Sequence, residues 1–268
     1  MKYFILLFLM CTFQVRNETR TSLNLIMLDG VRLSEFKNNF IMIKPEMDII
    51  LGNNEECTVS NPSNISLPAY SDILAANRQN VNNNWMKGTL RYPTIIDSYY
   101  NDIFMVTFWN RIGDIYSKNK VPFPGKIIEP NKYIPGKLYD SEIHKEALKN
   151  RKKLNIIIYS DIDTAAHYSS WNLYIQKINN SEQYITELMN KRPNDIFIIA
   201  TDHSRSNNRW KDHGTPWPES KYIWVMIKSK KEHFWMFYNL TKNCNHIELG
   251  KVLFKFMSQN FSIINRSK

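Results

Sequence analysis

The sequence predicts an α/β protein in which helices cover both faces of a mostly parallel central sheet. Three runs are continuously apolar and β-branched: LNLIML (23–28), LNIIIYS (154–160) and DIFIIAT (195–201). Such runs predict buried parallel strands, because a strand covered on both faces does not alternate apolar and polar residues. Amphipathic segments lie between them. Strands that alternate with helices along the chain are typical of a three-layer αβα architecture.

Further segments complete the predicted order of elements. The runs IFMVTFW (103–109) and YIWVMI (222–227) predict a fourth and a fifth strand. Helices are predicted over 68–76, 94–101, 141–151, 168–190 and 247–258. The Pro- and Gly-bearing stretch 121–140 is predicted to be an irregular insertion, a lid or a loop over one edge. No internal repeat or low-complexity linker is found, so we expect residues 21–268 to form a single domain.

Composition and charge limit the classes of function. With 268 residues and 43% hydrophobic content, the chain has enough apolar side chains for a sizeable core, which argues against disorder. The net charge of +10 suits an anionic partner. The Lys and Arg residues are scattered, however, with only short clusters such as 149–153 and 228–233. We therefore expect an anionic small-molecule substrate and no stable complex with nucleic acid.

The N-terminus resembles a targeting segment. Lys2 is followed by an apolar run from Tyr3 to Phe13, which is too short to span a bilayer comfortably. We expect residues 1–20 to be a signal peptide, the alternative being a buried first strand. The mature chain would then be secreted or periplasmic, without a membrane span. Cys57 and Cys244 would remain, and two cysteines could form one disulfide in an oxidising compartment.

Acids or histidines directly follow each of the three strongest strands. Asp29 follows the first strand, Asp163 and His167 follow the second, and Asp202 and His203 follow the third. The carboxyl ends of parallel strands line up along one edge of an open α/β sheet, and ligands bind there. The sequence therefore predicts that separate segments bring carboxylates and imidazoles to one place.

A divalent metal would make such a cluster favourable. Carboxylates packed together repel and raise one another's pKa, and a cation removes that cost. Mixed Asp and His ligands favour Zn²⁺ or Mn²⁺ over Ca²⁺, which prefers oxygen ligands alone. The alternative treats each residue by itself, with Asp29 in a turn and Asp163 and Asp202 as helix caps. The same chemistry at three strand ends favours the shared metal site.

Five motifs occur in the order found in the alkaline phosphatase superfamily, and the chain resembles its type I phosphodiesterase and nucleotide pyrophosphatase branch. They are LIMLDGVR, SLPAYSDIL, SDIDTAAH, IIATDHS and RWKDHG. The resemblance covers about 23–258. It implies an alkaline phosphatase-like fold, two divalent metal ions close together and a hydroxyl nucleophile at the start of a helix.

The resemblance assigns roles to individual residues. Ser66, in Ser66-Leu67-Pro68, matches the nucleophile motif, and a helix N-terminus favours an alkoxide and a bound phosphate. The alternative is that Ser66 only caps the helix. The implied ligands of one ion are Asp29, Ser66, Asp202 and His203, and those of the other are Asp163, His167 and His213. The three other histidines, at 144, 233 and 246, are expected to be surface or structural residues.

The activity implied by the resemblance is hydrolysis of a phosphoric ester, as a phosphatase or a phosphodiesterase. Ser66 would attack phosphorus, and water would hydrolyse the resulting seryl-phosphate. Asn83 matches weakly a family asparagine that holds the phosphoryl group. Arg205 and Arg209 lie before His213 and are candidates to contact an anionic substrate, although such residues are more often solvated.

Three alternatives differ from this interpretation. A sulfatase of the same fold would carry Arg at the fourth position after the nucleophile, where this chain has Tyr70. A cofactor-type phosphomutase would carry a large inserted domain, which the residues between Ser66 and Asp163 do not provide. A non-catalytic relative that binds a metal or a glycan would be expected to lose some of the seven ligand and nucleophile positions. Retention of all seven favours the hydrolase.

Overall fold

Seven strands of the protein form one sheet. The computed structural model describes residues 21–51, 66–79, 81, 90–109, 112–129, 136–214, 216–229, 233, 238 and 240–264. The strands are β1 (Leu23–Leu28), β2 (Ile49–Leu51), β3 (Ile103–Trp109), β4 (Gly125–Glu129), β5 (Leu154–Tyr159), β6 (Ile196–Thr201) and β7 (Val225–Lys228). Their order in the sheet is β2-β7-β6-β1-β5-β3-β4. Among the described strand pairs, only those of β7 with β6 and with β2 are antiparallel, so the predicted mostly parallel sheet is confirmed.

The three strands with the strongest sequence signal lie side by side at the centre of the sheet. Each residue of β1 pairs with a residue of β5 on one side and of β6 on the other. Every residue of these three strands is buried. Continuous apolar sequence is therefore explained by two covered faces and two paired edges.

The sheet differs from the prediction at its margins. β7 begins at Val225 instead of residue 222, and it pairs antiparallel with both β6 and the short β2, which was not predicted. The stretch 121–140, predicted to be irregular, contains the edge strand β4. Gly125 is required at the start of β4, because a Cβ there would lie 1.9 Å from the carbonyl oxygen of Met105.

Helices cover both faces of the sheet. They are α1 (Leu33–Asn39), α2 (Ser66–Ala75), α3 (Ile95–Tyr99), α4 (Ile112–Ile115), α5 (Asp140–Lys149), α6 (Asp161–Tyr168), α7 (Trp171–Lys191) and α8 (His246–Ile264). One apolar cluster lies between the sheet and α2, α3, α4 and α8. A second cluster lies between the opposite face and α1, α5, α6 and α7. The three-layer αβα prediction is therefore confirmed.

Some predicted segments lie outside the described residues or differ in length. The predicted signal peptide, Cys57 and Asn83 all lie outside them. Cys244 is disulfide-bonded. The helix predicted over 94–101 is shorter and continues as a 3-10 turn at Tyr100–Asp102. Within the described ranges, none of the helices combines the length and the apolar character needed to cross a membrane.

Ser170 immediately precedes α7, which begins at Trp171 instead of the predicted residue 168, and α6 was not among the predicted helices. The Oγ of Ser170 accepts a hydrogen bond from the backbone N–H of Leu173 at 3.3 Å and caps α7. We expect Ser170→Ala to lower the free energy of unfolding by about 1 kcal/mol, because one N–H of the first turn loses its acceptor. Urea denaturation would measure this change. Ser169→Ala is the control, and an equal loss in both variants would contradict the capping role.

Candidate metal and active site

The carboxyl ends of the three central strands bring the predicted site residues together. Leu28, the last residue of β1, pairs with Tyr159 of β5 and with Thr201 of β6, so the three strands end at one level. Asp29 and Asp202 directly follow two of these ends. Asp163 and His167 lie on α6, and Ser160 is the single residue that connects the end of β5 to the start of α6. Register therefore explains why residues distant in sequence meet here.

The first cluster consists of Asp29, Asp202 and His203, which are all buried. One ligand atom from each residue lies within 4.8 Å of the others. Nε2 of His203 is 3.4 Å from Oδ1 of Asp29 and 3.4 Å from Oδ2 of Asp202. Nδ1 of His203 lies 2.9 Å from the carbonyl oxygen of Ser204, an acceptor, so Nδ1 carries a proton and Nε2 is available to the cluster.

Ser66 is the first residue of α2 and faces this cluster. Its Oγ lies 3.2 Å from Oδ1 of Asp29 and 3.2 Å from Nε2 of His203. Tyr70, one helical turn later, donates a hydrogen bond to the other oxygen of Asp29 at 2.9 Å. Tyr70 was not predicted to touch the site, although its i, i+4 spacing from Ser66 is the signal that would have placed it on the same helix face.

The second cluster consists of Asp163, His167 and His213. The Nε2 atoms of His167 and His213 are 3.0 Å apart, and Oδ2 of Asp163 lies 3.3 Å from Nε2 of His167. The side chains are partly open to solvent, with exposures of 21% for Asp163, 35% for His167 and 11% for His213. The rings of His203 and His213 stack with centroids 4.0 Å apart, so the two clusters are adjacent.

Burial and neighbouring charges shift the pKa values of Asp202 and His203 in the first cluster. Burial, together with the charge of Asp29, raises the pKa of Asp202 to about 7. Burial alone would lower the pKa of His203, but the carboxylates of Asp202 and Asp29 outweigh burial and raise that pKa to about 9. Oδ2 of Asp202 is also buried without a hydrogen-bond partner of its own. Two adjacent buried carboxylates of this kind favour a bound cation, either a proton or a metal ion.

The remaining candidates occupy different surroundings. Arg205 is completely buried, and its guanidinium contacts Asp163. Arg209 is exposed, with its guanidinium carbon 5.4 Å from the ring centroid of Trp217. The structure therefore brings together seven predicted ligand and nucleophile positions and leaves Arg209 at the surface.

Two of the histidines expected to be surface or structural residues are buried. His144 lies between the hydroxyl of Tyr159, 3.0 Å from Nδ1, and the carboxylate of Glu187, 2.9 Å from Nε2. His246 begins α8, and burial lowers its pKa to about 3. Both residues are thus structural in location, and neither belongs to the two clusters.

Comparisons by sequence and by structure give different results. No family model and no curated protein matches the chain. A protein in the alkaline phosphatase superfamily from Vibrio parahaemolyticus is similar with a TM-score of 0.51 and 13% identity, over 79% of this chain and 60% of that chain. The present chain thus spans about 60% of the length of the Vibrio protein.

Two bacterial periplasmic domains cover more of the fold. The C-terminal periplasmic domain of phosphoethanolamine transferase EptC from Campylobacter jejuni has a TM-score of 0.56 and 14% identity, over 88% of this chain and 89% of that chain. The corresponding domain from Escherichia coli, in complex with zinc, has a TM-score of 0.57 and 10% identity, over 86% and 80%. Together with the Vibrio protein, they identify the architecture: the chain has the fold of the alkaline phosphatase superfamily.

Proposed function

We propose that this protein is a two-metal-dependent phosphoric ester hydrolase that acts through Ser66. One observation carries the proposal: Oγ of Ser66 lies 3.2 Å from an oxygen of Asp29 and 3.2 Å from Nε2 of His203, at the N-terminus of a ten-residue helix. A hydroxyl beside a metal-type cluster, at the positive end of a helix, suits attack on an anionic phosphoester.

The donor atoms of both clusters suit divalent transition metals. Asp29, Ser66, Asp202 and His203 would hold one ion, and Asp163, His167 and His213 would hold the other. Mixed carboxylate and imidazole ligands favour Zn²⁺, with Mn²⁺ as the alternative. When bound, the ions would supply Lewis-acid stabilisation of the serine oxygen and of the phosphoryl oxygens.

The residues of the chain orient the reacting groups. Asp29 accepts the hydrogen bond of the Ser66 hydroxyl and is itself held by Tyr70, which fixes the direction of Oγ. Attack of this oxygen on phosphorus forms the seryl-phosphate bond and breaks the bond from phosphorus to the leaving-group oxygen, which departs as the alcohol with the proton that the Ser66 hydroxyl gives up. Water then attacks phosphorus, frees Ser66 and releases the phosphoryl product. The N-terminal turn of α2 would stabilise the negative charge of the phosphoryl group in both steps.

A sulfatase of the same fold is disfavoured by Tyr70. This residue stands at the position where the sulfatase motif has Arg, and its buried hydroxyl donates to Asp29. Burial, with the nearby charges of Asp202 and Asp29, holds the pKa of Tyr70 well above its ordinary value, so the side chain is neutral. A neutral phenol does not supply the charge of a guanidinium.

An oxidising compartment is part of the proposal. Cys244 is disulfide-bonded, and stable disulfides occur mainly in secreted and periplasmic proteins. This bond supports the location expected from the N-terminal segment. The proposed substrate is an anionic phosphoester of small size, which also agrees with the net charge of +10.

Metal content and a matched substrate panel test the proposal. We expect purified protein to hold about two zinc or manganese ions per chain by elemental analysis. We also expect it to cleave p-nitrophenyl phosphate or bis-p-nitrophenyl phosphate much faster than p-nitrophenyl sulfate, which has the same leaving group. Protein that binds no metal would contradict the whole proposal. Faster cleavage of the sulfate would support a sulfatase instead.

A further inference from the structure

Arg205 is a completely buried arginine that lies between the two clusters. Its Nε donates to the carbonyl oxygen of Gly30 at 3.0 Å, and one terminal nitrogen donates to the carbonyl oxygen of Lys211 at 2.7 Å. The other terminal nitrogen contacts Oδ1 of Asp163. One side chain thus joins the turn after Asp29, a carboxylate of the second cluster and the loop that leads to His213.

This arrangement uses the shape of the guanidinium. Its planar fork donates in three directions at once, which a lysine ammonium on a flexible stem does not reproduce. Burying a charge without partners is costly, so these acceptors are required for Arg205 to remain in place. The buried guanidinium therefore connects the segments of the site, because every acceptor named above belongs to a segment that carries a cluster residue.

The close approach of Gly30 to the guanidinium provides independent support for a specific position of Arg205. Gly30 has a φ of +72°, and a Cβ added there would lie 2.9 Å from both Nε and a terminal nitrogen of Arg205, and 3.0 Å from Oδ1 of Asp163. A side chain at residue 30 would push the guanidinium away from Asp163. The close approach of the backbone is thus matched to the position of Arg205.

The contact with Arg205 fixes the orientation of the Asp163 carboxylate relative to the two histidines of the second cluster. Oδ1 is engaged by the guanidinium and also lies 3.7 Å from Nε2 of His213, whereas Oδ2 lies 3.3 Å from Nε2 of His167. Arg205 therefore holds the Asp163 carboxylate with one oxygen beside each histidine of the second cluster. Hydrogen bonds of this kind to a ligating carboxylate typically change metal affinity about 10- to 100-fold when they are removed.

We propose that Arg205 is a positioning residue that fixes Asp163 and the loop before His213, and thereby sets the affinity of the second metal site. The inference rests on the proposed two-metal function and deepens it. It also assigns Arg205 a role different from the substrate contact considered from the sequence, because a completely buried guanidinium engaged on three sides has no face open to a substrate.

Titration of metal-free protein with Zn²⁺ against a chromophoric chelator tests this role. We expect two ions to bind wild-type protein, and we expect Arg205→Gln to weaken the second ion at least about tenfold while the first changes less than about threefold. Arg205→Lys should bind the second ion as weakly as Arg205→Gln does, because lysine keeps the charge and lacks the planar guanidinium with its several donors. Wild-type affinity for the second Zn²⁺ ion in Arg205→Lys would overturn the proposal.

Arg192→Gln is the matched control for general destabilisation. Arg192 is also buried, and it donates to Asn24, Ala147 and Asn150 at the opposite end of the sheet. Its loss should lower the thermal stability without changing Zn²⁺ affinity. If Arg192→Gln lowered the Zn²⁺ affinity of the second site as much as Arg205→Gln does, the proposal would be overturned.

A second variant covers the case in which Arg205→Gln does not fold. Gly30→Ala keeps Arg205 but displaces its guanidinium, so it should also weaken the second ion. An unchanged second site in folded Gly30→Ala protein would count against the proposal. If wild-type protein binds fewer than two ions, the proposed function fails; if it binds two and the variants match it, only the role of Arg205 fails.

Discussion

Ser66→Ala should lower kcat for p-nitrophenyl phosphate by about a thousandfold or more. The substitution removes the only atom of residue 66 that can form a bond to phosphorus. It leaves the Asp29 and His203 side chains, each 3.2 Å from that oxygen, in place. The residual rate should reflect only binding and electrostatic stabilisation by the remaining groups.

Ser71→Ala is the matched control for this experiment. Ser71 lies on the same helix, is completely buried and donates its hydroxyl hydrogen bond to the carbonyl oxygen of Pro68 at 2.9 Å. We expect this variant to retain kcat within a few-fold of wild type. Acid-quenched wild-type protein should also carry phosphate on the peptide that contains Ser66. Turnover by Ser66→Ala at the wild-type rate would exclude Ser66 as the nucleophile.

Metal removal should destabilise the protein more strongly as the pH rises from about 5 to about 8. In metal-free protein the pKa of Asp202 is raised from 3.8 to about 7, so the folded state binds a proton that the unfolded state releases. Stability therefore falls as the pH rises from about 4 through 7. Each unit of pKa difference corresponds to about 1.4 kcal/mol.

His203 acts in the same direction over a higher range of pH. Its pKa is raised from 6.5 to about 9, so its contribution is fully present below pH 6.5 and is lost as the pH rises through 9. Asp29 has a lowered pKa, and its contribution is lost only when the pH falls below the ordinary carboxyl range. A bound metal ion replaces the shared proton, so metal-bound protein should avoid the loss at high pH.

Scanning calorimetry at pH 5, 6, 7 and 8 measures this effect. The Tm difference between protein with excess Zn²⁺ and protein with EDTA should grow steadily over this range. Asp202→Asn is the control, because an amide does not titrate; the metal-free variant should lose most of the pH dependence below 7. A constant difference from pH 5 to pH 8 would contradict the assignment of these residues as a metal site.

The centre of the fold could be predicted because each central strand carries its own signal. β1, β5 and β6 are mostly apolar and do not alternate apolar with polar residues, and both their positions and the polar residues after them follow from sequence. The margins lack this signal. β4 reads GKIIE within a stretch rich in Pro and Gly, so turn residues dominate the pattern and an edge strand is not apparent.

The parts of the site that were not predicted depend on contacts between distant segments. Arg205 occurs in a polar loop, and only the meeting of Gly30, Asp163 and Lys211 in space explains its burial. The same is true of Tyr70, whose partner Asp29 lies 41 residues away. The start of α7 differs from the predicted residue 168 for a local reason, because Ser170 caps the helix and Trp171 begins it.

The two clusters differ sharply in their access to solvent, and this difference dictates how a phosphoester would enter. The side chains of Asp29, Asp202 and His203 are at most 4% exposed, whereas those of Asp163, His167 and His213 range from 11% to 35%. Under the proposed function, a phosphoester bound across both clusters would therefore enter with its phosphoryl group foremost. Its leaving group would then remain on the side of the more open cluster, formed by Asp163, His167 and His213.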